Sequence, residues 1–158
     1  MMTLKRLLIA PTAALALAAG GLVHADERIA LDQLDTIIEH ASAFGFTHYE
    51  EIEAKSGDSV EIEGWLDDEW HADVRLSLRD GQTLEEERKR LVSGAWGMSE
   101  EDLRLAFRLA ADEGMQAFEE IEIKQTGVIE IEGFDASGRE LEITLRQGSD
   151  TVSRVERD

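Results

Sequence analysis

Apolar residues along the chain follow a helical period and then a strand period, and this succession occurs twice. Ala30, Leu34, Ile37, Ile38, Ala41 and Phe44 recur at the spacing of a helix that buries one face, and Gly45 stands where a C-terminal cap is expected. The period then falls to two, which predicts strands near 49–55, 59–66, 70–78 and 83–88. In the second half, Ser99 and Asp102 form a capping-box pattern ahead of Leu103, Ala106, Phe107 and Ala110, and Gly114 closes the helix. Strands follow near 118–124, 128–134, 140–146 and 151–155. Turns such as Ser56-Gly57-Asp58, Asp80-Gly81 and Ser137-Gly138 are too short for anything but antiparallel neighbours.

The two halves are copies. Glu50-Glu51-Ile52-Glu53 returns as Glu119-Glu120-Ile121-Glu122, and Glu61-Ile62-Glu63-Gly64-Trp65 as Glu130-Ile131-Glu132-Gly133-Phe134, both at an offset of 69. The expected fold is therefore α+β: two tandem repeats, each one helix packed on a four-stranded antiparallel β-meander. The expected boundaries are a leader over 1–25, one repeat over 26–92, a junction over 93–98 and a second repeat over 99–158.

The leader reading rests on Lys5 and Arg6, an apolar run, and Val23-His24-Ala25 at a cleavage position. An uncleaved anchor is the alternative; Pro11, Gly20-Gly21 and the switch to Asp26-Glu27-Arg28 favour cleavage and a periplasmic or secreted chain. Charge narrows the function. The whole chain has a net charge of −19, which argues against nucleic-acid binding because phosphates would be repelled. There is no Cys, hence no disulfide, thiol chemistry or cysteine-linked lipid. Arg outnumbers Lys twelve to four, and acid excess with scarce Lys is common in proteins of salty surroundings.

Gly45, Ile52, Glu61-Ile62-Glu63-Gly64, Val74, Leu76 and Asp80-Gly81, repeated as Gly114, Ile121, Glu130-Ile131-Glu132-Gly133, Ile143, Leu145 and Gly148, resemble the PepSY domain family. Glu61 and Glu130 stand where that family often has Tyr. The resemblance implies a small non-enzymatic α+β binding module of exported proteins and metalloprotease propeptides, with restraint of a peptidase as its role. It carries over no catalytic residue.

The candidate site is the sheet face turned away from the helices. If Ile52, Ile62, Val74 and Leu76 face a helix, then Glu51, Glu53, Glu61 and Glu63 point outward, as do Glu120, Glu122, Glu130 and Glu132 in the second copy. Like charges opposite one another on neighbouring strands are destabilising, so a cation or a basic protein partner would relieve them. A solvated face adapted to salt is the plain alternative, and a Ca²⁺-responsive or cation-buffering face is another. Trp96, between two glycines in the junction, reads as either an inter-copy plug or an anchor for a partner. His40, His48 and His71 each stand alone without a ligand pair at helical spacing. The sequence thus points to no metal site, no cofactor and no enzyme.

Overall fold

The computed structural model describes residues 27–158, and the expected leader over 1–25 lies outside them. The elements in chain order are β1 (Ile29–Ala30), a three-residue 3-10 turn (Leu31–Gln33), α1 (Leu34–Phe44), β2 (His48–Lys55), β3 (Ser59–Trp65), β4 (Trp70–Ser77) and β5 (Thr83–Arg90). The second half supplies α2 (Glu100–Asp112), β6 (Met115–Ile123), β7 (Val128–Asp135), β8 (Glu140–Arg146) and β9 (Val152–Arg157).

These strands do not make two separate helix-on-meander units, and the expected fold is corrected accordingly. They form one antiparallel sheet of nine strands in the order β5-β4-β3-β2-β6-β7-β8-β9, with β1 also paired to β6. The reason lies at the two leading edges. An isolated meander would leave β2, or β6, with a row of unpaired backbone groups. Here those edges pair with each other in the register Glu51↔Glu122, Ile52↔Ile121 and Glu53↔Glu120. Ile52 and Ile121 are equivalent by the offset of 69, so a pseudo-twofold axis passes between them.

The union extends beyond that ladder. Ile29, ahead of the first helix, pairs with Phe118 in the second copy. Met98, ahead of the second helix, pairs with Tyr49 in the first through two backbone hydrogen bonds of 2.6 and 2.8 Å. Ile29 and Met98 are again equivalent by 69, so each copy lends its leading segment to the other. Among the described residues one hydrophobic core results, running from Leu34, Ile37 and Ile38 through Ile52 and Ile121 to Leu103, Phe107 and Ile143.

Both helices cover one face of the sheet, and their ends follow local chemistry. Gly45 closes α1 with φ of 122°, in the left-handed region where a side chain would be strained. The Ser99 side chain accepts from the Asp102 backbone N–H at 3.1 Å, and Asp102 accepts from the Ser99 N–H at 2.9 Å. This reciprocal pair satisfies two donors that a helix start would otherwise orphan. The outer strand β5 is exposed along its whole length and reads Thr-Leu-Glu-Glu-Glu-Arg-Lys-Arg, a charged rim that discourages edge-to-edge association.

Residues 26–92 alone would lose the partners of β2 and of Tyr49. The expected outcome, read by circular dichroism and light scattering, is an unfolded chain or a dimer of half-chains. A folded monomer would contradict the exchange of leading segments.

Candidate functional site

The face opposite the helices is built by one repeated irregularity. Tyr49 and Ile52 are both fully buried, although three residues apart on a strand they should point to opposite faces. A β-bulge reconciles them: the pairing steps from Tyr49↔Gly64 to Glu51↔Glu63, leaving Glu50 as the extra residue. The second copy does the same with Phe118↔Gly133 and Glu120↔Glu132, leaving Glu119. The bulged strand crowds its neighbour. A Cβ on Gly64 would lie 2.2 Å from the His48 carbonyl oxygen, and one on Gly133 would lie 2.2 Å from that of Ala117. This close approach is why the repeated Glu-Ile-Glu motif ends in Gly.

Beyond the bulge, the outward carboxylates face each other across strand after strand. Glu51 pairs with Glu63 on one side and Glu122 on the other, and Glu63 in turn with Asp73. Glu53 lies between Glu61 and Glu120, and Glu120 stands next to Glu132. Glu122 pairs with Glu130, while Glu132 continues the row to Glu142 and Glu156. All eight candidate glutamates therefore lie on one face, and the β2–β6 junction brings the two sets into a single field.

Cations neutralise only part of it. Lys55 Nζ lies 2.5 Å from Glu53 and 3.4 Å from Glu61; its counterpart Lys124 lies 2.6 Å from Glu122 and 3.0 Å from Glu130. The Arg75 guanidinium instead donates to the Ser59 hydroxyl and the Ser56 carbonyl, both at 2.8 Å. Glu51 and Glu120 remain at the centre. Burial, then the charges of Glu120, Glu63, Glu53 and Glu122, push Glu51 up to about 7. Burial and the charges of Glu122, Glu132 and Glu53 raise Glu120 as well. Single carboxylate oxygens of Glu51, Glu120 and Glu122 lie within 4.8 Å of one another, a separation that one hard cation could bridge.

A second constellation lies at the rim of the first copy, and sequence reasoning missed it. Trp65 and His71 are cross-strand neighbours on the open face, yet both are buried and stand outside the main core. Their rings meet edge to face at 5.3 Å. The Trp65 indole N–H donates to Glu50 Oε1 at 2.6 Å, and Glu50 Oε2 and Glu63 Oε1 approach His71 Nε2 at 3.4 and 3.6 Å. His71 is thus not isolated, as its sequence context suggested. The legible signal was Tyr49 and Ile52, with Phe118 and Ile121, at a spacing that only an inserted residue allows. Trp96 is half-buried and packs against the main core. Asp67-Asp68-Glu69 is a hairpin turn, Asp67 Oδ1 accepting from the Glu69 and Trp70 backbone N–H groups, both at 2.8 Å.

Stability should respond to pH in the direction opposite to that of a salt-bridged acid. Glu51 holds its proton more tightly when folded than an unfolded glutamate does, so between about pH 4.5 and 7 the folded chain binds more protons. Stability then falls as pH rises through that window. A Tm higher at pH 5.5 than at pH 7.5 by on the order of 3 °C is expected, and Glu51→Gln should remove much of the difference. An equal slope in the variant would show that Glu51 is not its source.

No protein-family model matches the chain, and no curated protein matches it. Among solved structures, it is similar to a "putative lipoprotein" from Clostridium difficile 630, with 16% sequence identity and a TM-score of 0.45 over 87% of this chain and 98% of that one.

Proposed function

We propose that the chain is an exported, non-catalytic binding module whose open sheet face receives a positively charged segment of a protein partner. The observation that carries this reading is the unbroken run of facing carboxylates across the β2–β6 junction. A partner bearing Lys or Arg would supply the counter-charge that Lys55 and Lys124 provide only at the flanks. The PepSY resemblance supports an envelope or secreted peptidase as that partner, with restraint of its activity as the outcome. Export rests on the leader pattern of residues 1–25; among the described residues no helix is long and apolar enough to cross a membrane.

A second reading is favoured by the convergence of Glu51, Glu120 and Glu122: the same centre holds Ca²⁺ or a similar hard cation, and the protein responds to or buffers that ion. The two readings separate experimentally. A Lys/Arg-rich peptide should bind in low salt and lose about tenfold or more in affinity between 50 and 300 mM NaCl. Combined Glu51→Gln, Glu120→Gln and Glu122→Gln substitutions should abolish that binding, and a thermolysin-type peptidase should cleave an unrelated substrate more slowly beside the native chain. Absence of any salt-sensitive binding would remove the first reading. A Tm rise with CaCl₂ beyond that of NaCl at equal ionic strength, lost in the triple variant, would establish the second.

A further inference from the structure

We propose that Glu50, Glu63 and His71 form a binding site for one divalent transition cation of the zinc class. The site borders the central carboxylates, Glu63 being the cross-strand neighbour of Glu51, but does not rest on the partner reading. Each copy of the duplication carries the two acids, but only the first carries an imidazole between them.

Geometry is the first support. A carboxylate that merely hydrogen-bonds an imidazolium closes to about 2.7–2.9 Å. His71 Nε2 instead stands 3.4 Å from Glu50 Oε2 and 3.6 Å from Glu63 Oε1, and one ligand atom from each of the three residues lies within 4.8 Å of the others. Ligands placed 2.0–2.2 Å from a tetrahedral ion stand roughly 3.3–3.6 Å apart. The His71 separations thus match the edges of a coordination tetrahedron better than a hydrogen bond.

Burial is the second. His71 is 9% exposed, and neither Glu50 nor Glu63 closes on its Nε2 to the distance of a charge-assisted hydrogen bond. Glu50 is orientated from behind: the fully buried Trp65 holds Oε1 through its indole N–H and leaves Oε2 facing His71. That is the arrangement by which outer groups fix a metal-binding carboxylate. Glu63 is the exposed member, with 43% of its side chain open, so an ion and a fourth, solvent ligand can enter from that side. Lys89 lies opposite His71 on β5 and is engaged by Glu87 at 2.9 Å.

Donor chemistry sets the class. One imidazole nitrogen and two carboxylate oxygens suit Zn²⁺ and its first-row neighbours, whereas Ca²⁺ takes oxygen ligands in larger number. The second copy acts as an internal control. There Glu119 and Glu132 persist, but Glu140 replaces the imidazole and Phe134, with no N–H to donate, replaces the indole. The Arg28 guanidinium lies 3.9 Å over the Phe134 ring and sets a positive charge near Glu119. One ion per chain is therefore expected, not two.

The test is calorimetric titration of the purified protein with ZnCl₂ at pH 7.5 and fixed ionic strength. One Zn²⁺ per chain is expected, with affinity reduced about tenfold or more by Glu63→Gln and by His71→Gln and within about twofold of native in Glu132→Gln. Glu122→Gln should also leave it within about twofold of native, which separates this site from the Glu51–Glu120–Glu122 centre. Trp65 provides an independent readout. In a variant carrying Trp70→Phe and Trp96→Phe, Co²⁺ should quench the remaining fluorescence, and Glu63→Gln should weaken that quenching. Because Glu63 is exposed, this arm stands even if His71→Gln fails to fold. The proposal is overturned by no Zn²⁺ uptake beyond that of equal Mg²⁺, by equal losses from Glu63→Gln and Glu132→Gln, or by unchanged affinity in a folded His71→Gln variant.

Discussion

The pairing of β2 with β6 is the constraint on which the rest of the molecule depends. It joins two copies that each lack a partner for their leading strand, and its register puts Ile52 against Ile121. With that register set, alternation decides everything on either side: aliphatic residues fall toward the helices and glutamates toward the open face. A slip by one residue would send the glutamates of one copy into the core, at a cost of several kcal/mol for each unpaired charge. The hydrophobic pairing therefore holds the acids beside one another. Electrostatic repulsion on the open face is a by-product of apolar register on the covered one.

The bulge modifies this rule at one place in each copy. It adds a third acid, Glu50 or Glu119, to the open face and turns the strand end so that an aromatic ring fits beneath it. The two versions of that corner have diverged more than the strands that carry them. Trp65 and His71 occupy one; Phe134 and Glu140, with Arg28 reaching over, occupy the other. The scaffold has stayed the same while the chemistry at its rims has changed.

Much of this was legible in the sequence because it depends on local periodicity. The strands, the Ser99–Asp102 capping box and the outward glutamates follow from residues a few positions apart. The joining of the copies did not follow, because repeats that match say nothing about which edges meet. Nor did the Trp65–His71–Glu50 corner, whose members are 15 and 21 residues apart and converge only through the bulge. The spacing of Tyr49 and Ile52 contained the clue, since strict alternation cannot bury both.

One contact between the helices has a meaning beyond its energy. Asp35 on α1 meets Arg104 on α2, and these two positions are equivalent by the same offset of 69. They lie on the pseudo-twofold axis, where a symmetric pair of identical chains must present the same residue twice. Opposite charges at such a place require that the two copies differ there. Either half, brought against its own likeness, would now set acid against acid or base against base. The interface between the copies is therefore heterotypic at this point, and favours pairing a first copy with a second over pairing like with like.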